Sequence, residues 1–156
     1  MYTDAPGCYN SFMGRDLPPG ARFFSLEEAR RMLPLVRRIA EDIAAHWQEL
    51  EPHIVRLRSM PPEARRTADG KALEEELEAR SAEMDALISE LQDLGCYFKG
   101  VQEGLVDWYS LYKARPVFLC WRLGEPEIAW WHQVDAGFAG RQRILDSQRS
   151  AFRGDE

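Results

Sequence analysis

No apolar run in this 156-residue chain approaches the ~20 residues that a membrane-spanning helix needs, so no membrane partner is expected. The start, Met1-Tyr2-Thr3-Asp4-Ala5-Pro6, has neither the basic region nor the apolar core of a secretory leader. Cysteine is scarce. Cys8, Cys96 and Cys120 are odd in number and lack C-x-x-C spacing, which argues against a disulfide framework and fits a reducing cytoplasm. A basic excess is missing as well, since the net charge is −6. Residues 25–58 balance six arginines against six acids. Residues 71–94 set Lys71 and Arg80 against Glu74, Glu75, Glu76, Glu78, Glu83, Asp85, Glu90 and Asp93, which matches the charge of the whole chain. That segment carries no basic footprint, and no nucleic-acid partner is expected.

What the chain has is one domain's worth of residues with ordinary apolar content, 45%. Residues 1–22 are rich in Gly, Pro, Asn and Ser and read as an irregular arm. Ser25 and Glu28 then have capping-box spacing, and Phe24 with Ala29 has staple spacing. From there Ala29, Leu33, Val36, Ala40, Ile43, Trp47, Leu50, Ile54 and Leu57 recur in steps of four and three, a coiled-coil-like seam. The pattern predicts a helix over about 26–58, bent at Pro34 and Pro52 because each removes a backbone donor. A loop bounded by Ser59-Met60-Pro61-Pro62 and Thr67-Ala68-Asp69-Gly70 leads to a second helix over about 71–94. The seam of that helix is Leu73, Leu77, Arg80, Met84, Leu87, Leu91 and Leu94, and Gly95 stops it. The two form an antiparallel hairpin.

After Gly95 the period falls to two, and residues 96–132 read as a small antiparallel meander. A tip at Lys113-Ala114 would pair Trp108 with Leu119, Val106 with Trp121 and Asp107 with Cys120. A second tip at Leu123–Pro126 would pair Trp121 with Ile128, Leu119 with Trp130 and Arg122 with Glu127. One face would then hold Val106, Trp108, Leu119, Trp121, Ile128 and Trp130 as core. The other would hold Asp107, Tyr109, Phe118, Cys120, Arg122, Glu127 and Trp131. The expected fold is therefore α+β: a long helical hairpin with a small sheet near one end, spanning 23–143, followed by a short helix or turn and a frayed tail over 144–156.

The second sheet face has two readings, a solvated surface with an Arg122–Glu127 pair or a ligand site. Its candidate ligand-binding residues are Asp107, Tyr109, Arg122, Glu127 and Trp131, joined by His132, Asp135 and Arg141 where the last strand ends. Gly137 and Gly140 with Arg141 could cradle a small anion, and His132 with Asp135 could begin a metal site if Cys120, Glu125 or Glu127 contributed. His46, Glu49 and His53 share a side of the first helix and could chelate, but they lie off the seam and read first as flanking solvent contacts. Cys120 has no evident histidine partner in the sequence and reads as a small buried side chain. The hairpin is longer than six-residue strands can cover, so its far seam should pair with a second copy as a homodimer. With no complete catalytic constellation, a non-enzymatic oligomeric binding or scaffold protein is the favoured reading. An enzyme for a small anionic substrate and a metal-binding protein are the alternatives. No particular cofactor is implied.

Four stretches carry a resemblance: Glu28-Ala29-x-x-Met32-Leu33-Pro34-x-Val36-Arg37, Gly104-Leu105-Val106-Asp107, Leu119 to Ile128 (LCWRLGEPEI), and Trp131-His132-x-x-Asp135-Ala136-Gly137-Phe138-Ala139-Gly140-Arg141-Gln142. Over about residues 23–143 the chain resembles an uncharacterised prokaryotic family known only as a domain of unknown function. The segment Ser110 to Ala114 departs from that family's more polar turn. The resemblance implies a cytoplasmic prokaryotic α/β chain and carries no activity with it.

Overall fold

A computed structural model describes residues 17–155. Most of the expected arm, with Cys8, lies outside them; within its last residues Ala21 N–H donates to the Pro18 carbonyl to close a turn. Helix α1 spans Leu26–Ser59 and opens with the capping box: Ser25 N–H donates to Glu28 Oε2 at 2.7 Å, and Glu28 N–H to Ser25 Oγ at 3.1 Å. It runs through both prolines, and Pro34 and Pro52 are exposed. The carbonyl that each leaves without an intrahelical donor can therefore be solvated.

A short helix α2, Pro62–Arg65, precedes α3, Ala68–Asp93. The second long helix thus begins three residues earlier than its apolar period suggests. Thr67 caps it by accepting from Gly70 N–H, and Gly70 is needed because a methyl there would strike the Ala64 and Arg65 carbonyl oxygens. The residues that look like a loop in sequence are therefore a cap and a first turn. Gly95, at φ 92°, ends α3 with its N–H on the Gln92 carbonyl.

Six strands follow: β1 Cys96–Lys99, β2 Leu105–Tyr112, β3 Arg115–Arg122, β4 Trp130–Gln133, β5 Gln142–Arg143 and β6 Phe152–Arg153. The order is β1-β2-β3-β4-β5, all antiparallel, and β6 takes the part of the β2 edge beyond β1. The first hairpin has the expected register, with Val106 opposite Trp121, Asp107 opposite Cys120 and Trp108 opposite Leu119. Its tip places Lys113 and Ala114 at positive φ, 51° and 62°, as a two-residue hairpin requires.

The second hairpin is one residue out from the expected register. Leu119 faces Trp131, Cys120 faces Trp130 and Phe118 faces His132. The cause is the connection Leu123–Ala129, which leaves the sheet instead of turning tightly. Glu125 N–H closes a turn on the Arg122 carbonyl, Pro126 has no N–H to give, and Ile128 drops into the core. Arg37 and Arg30 of α1 bind the Pro126 and Ile128 carbonyls at 2.9 and 3.1 Å. A slip of one exchanges the faces of a whole strand. Trp131 is therefore a core residue, 4% exposed and packed on Tyr112 and Phe152, and Trp130 lies on the opposite face.

The end of the chain is not frayed as far as it is described. A 3-10 helix, Asp146–Ala151, leads into β6, and Phe152 is 2% exposed. The core joins the sheet's inner face (Val106, Trp108, Leu119, Trp121) to Leu33, Val36, Ala40 and Ile43 of α1 and Met84 and Leu91 of α3. The two tryptophans should therefore respond differently to truncation. Trp131→Ala should lower stability by about 3–5 kcal/mol, and Trp130→Ala by less than half as much. Urea melts of both variants check this, and equal losses would contradict the register.

Candidate functional site

The outer face of the sheet, expected to be either solvated or a groove, is buried at its centre. Asp107, Tyr109, Phe118, Cys120 and His132 are each 1–2% exposed. Alternation along β2, β3 and β4 sends Asp107, Cys120 and His132 to this face, and the pairings Asp107–Cys120 and Phe118–His132 bring them together. Suitable donor atoms of all three lie within 4.8 Å of one another.

Asp107 is the electrostatic centre. Its Oδ2 accepts from His132 Nε2 at 3.1 Å and from Lys99 Nζ at 2.9 Å, and its Oδ1 is buried with no hydrogen-bond partner. Burial by itself would push this carboxyl up. The hydrogen bond from His132 and the charges of Lys99 and His132 outweigh it, and they hold the group below the ordinary carboxylate range. His132 Nδ1 lies 2.7 Å from the Gln133 carbonyl, so both ring nitrogens face acceptors. Lys99 also lies over the Phe118 ring at 3.6 Å. Burial, then the neighbouring Asp107 carboxylate, push the Cys120 thiol well up, so it is held as a thiol and not as a nucleophilic thiolate. Tyr109 packs among Phe23, Tyr97 and Phe118, and burial lifts its phenol to about 12.

The other candidates divide. Arg141 reaches this face from the segment after β4, lying over Trp130 at 4.9 Å and bonding Glu125 Oε1 at 2.6 Å. The same Glu125 oxygen accepts from Arg122 N–H at 3.0 Å, so Glu125 organises the corner. Arg122 is exposed and shares Phe138 with Arg141. It also borders a groove of about 460 Å³ between α1 and the β1–β2 turn, with Trp47, Glu51, Gln102 and Leu123 among its walls. Glu127 pairs with Arg30 of α1 at 3.6 Å, so the Arg122–Glu127 cross-strand pair does not form. Trp131 is core, and Asp135 is exposed in the turn after β4.

Gly137, at φ 63°, opens a one-turn 3-10 helix in which Gly140 and Arg141 N–H groups bond the Gly137 and Phe138 carbonyls; they are not free for an anion. On α1, His46 turns to Glu83 at 3.7 Å and Glu49 to Arg80 at 2.8 Å, both across the helical interface. Sequence reasoning missed Lys99 as a member of the site and offered Glu125 only as a conditional metal ligand, not as the partner of Arg141. Carrying strand alternation from Tyr97 to Lys99 would have placed Lys99 beside Asp107. Nothing in the sequence pointed to Glu125 over Glu127.

The Asp107 carboxyl titrates lower folded than unfolded, so its contribution to stability is full above the ordinary carboxylate range. That contribution is lost as pH falls through the lowered value. Asp107→Asn should remove about 3 kcal/mol or more at neutral pH, because it takes the charge from a buried carboxylate that pairs with both Lys99 and His132, and should flatten the acid limb of the profile. Thermal melts from pH 7 to 2 check both effects; an unchanged acid limb would contradict the assignment.

Residues 22–144 match the model of a family described as uncharacterized conserved protein (DUF2203), and the chain belongs to that family. No curated protein and no solved structure matches it.

Proposed function

We propose that this DUF2203 member is a non-enzymatic, self-associating binding protein. Its helical hairpin makes the assembly and the outer sheet face holds a ligand. The observation that carries the first part is the unequal reach of the two layers. Helix α1 has 34 residues, about 51 Å at 1.5 Å per residue, and the longest strands have eight, about 27 Å. The sheet meets α1 from Arg30 to the groove at Trp47–Glu51. From there outward, the described polar partners of α1 are helical: Arg80 of α3 on Glu49, and Arg65 of α2 on the Arg58 carbonyl.

The hairpin keeps apolar surface at the end away from the sheet. Ile54, Leu57 and Met60 are half-buried and Val55 is 57% exposed. Its charge is divided as well: Arg56, Arg58, Arg65 and Arg66 crowd the tip, and the acids of 74–93 line α3. Two copies packed antiparallel about a two-fold axis would set each basic tip against the partner's acidic shaft, with the apolar seams between them. For the ligand part, Asp107, Tyr109, His132, Arg122 and Arg141 are the supporting residues. Cys120, held protonated, suits binding better than nucleophilic catalysis.

Light scattering at micromolar concentration and low salt should give twice the 18.0 kDa chain mass, shifting toward the single mass as salt rises. Val55→Glu should give the single mass at all salts without loss of helicity. A single-chain mass for the unaltered protein at low salt would overturn the assembly.

A further inference from the structure

We propose that Asp107, Cys120 and His132 form a binding site for a thiophilic divalent cation of the zinc type. The proposal names the ligand of the outer sheet face and rests on that face holding one; it is independent of self-association. Three strands each supply one donor, a carboxylate, a sulfur and an imidazole, and this mixed set is the one zinc accepts. The donor atoms lie within 4.8 Å of one another. Tetrahedral coordination would draw them to ~3.3–3.8 Å apart, with bonds of ~2.0–2.3 Å, a movement of side chains and not of strands.

Two further features point to a ligand. The first is the orphaned oxygen: Asp107 is 2% exposed, yet its Oδ1 accepts no hydrogen bond. A buried carboxylate oxygen without a partner is costly, and a cation supplies what it lacks. Lys99 sits on Oδ2, so the carboxylate can keep its ammonium partner and ligate through Oδ1. The second is the histidine's orientation. Nδ1–H donates to the Gln133 carbonyl at 2.7 Å, which leaves the Nε2 lone pair as the metal-facing one, the usual outer-shell arrangement for a ligating histidine. Without a cation, Nε2 needs a second ring proton to approach the carboxylate. A cation takes that proton's place and the Cys120 proton is released. Thiolate and carboxylate then balance the two positive charges, and a fourth position stays open for water or a further donor.

The test is titration of chelator-stripped protein with Co2+ and then Zn2+. Co2+ should bind at one equivalent per chain with an intense thiolate-to-cobalt charge-transfer band, and Zn2+ should displace it. Cys120→Ser should abolish the band, and His132→Ala should weaken binding by more than ~100-fold. A variant with Cys8→Ser and Cys96→Ala, which leaves Cys120 as the one cysteine, should keep the band. This variant decides the matter even where Cys120→Ser does not fold. Loss of the band there, its persistence in Cys120→Ser, or no stoichiometric Co2+ in the unaltered protein would overturn the site. A single-chain protein that binds Co2+ would leave it standing, and a dimer that binds none would overturn it alone.

Discussion

A carboxylate in the middle of a sheet, shielded from water, sets conditions that its neighbours must meet. Asp107 lies on β2 between β1 and β3, and it cannot stay ionised there without positive charge and donors within reach. Lys99 comes from β1 and His132 from β4, so one ion-paired group ties together strands that are not consecutive in the sheet. This network depends on register. With β4 shifted by one residue, His132 would face the helices and Trp131 would take its place beside Asp107, leaving the carboxylate short of a donor and a large apolar ring displaced from the core. The slip in the Leu123–Ala129 connection is what lets the inner face be apolar and the outer face be neutralised at once.

The helices meet a different requirement. They must bury a continuous seam, and only part of that seam finds the sheet. Near the sheet, Arg30 and Arg37 reach from α1 to carbonyls in the irregular connection, so the helix holds in place the loop that determines the β4 register. Farther out, α1 and α3 have each other and the short α2, joined by the Glu49–Arg80–Glu76 ion pairs. Arg80 is the polar position in the α3 seam, and its pairing across the interface explains how a charge is accommodated there. Such exposed pairs contribute little by themselves. The apolar surface at the far end of the hairpin matters more, and it is the reason assembly is part of the functional reading.

Much of this architecture was legible in the chain. The capping box at Ser25, the four-three spacing of both helices, the Gly95 stop and the Lys113-Ala114 tip each rest on contacts between residues near one another in sequence. Short-range chemistry determines them. The Asp107–Cys120 pairing was legible too, because a two-residue turn leaves one register. The second hairpin was not. Its connection departs from the sheet because Ile128 has a place in a core built largely by α1, and because two arginines 98 and 89 residues away bind its carbonyls. No local pattern records that.

Chemistry local to the chain therefore sets the two long helices, the first hairpin and the existence of an outer face carrying Asp107 and Cys120, since each follows from periodicity or a tight turn. Packing between distant segments settles which tryptophan is core, that His132 and Lys99 meet Asp107, that Glu125 and not Glu127 holds Arg141, and that the face is buried. The physical reason is the two-residue period of a strand: a difference of one residue in a loop reverses every side chain beyond it, and the length of that loop is settled by packing against distant parts of the chain.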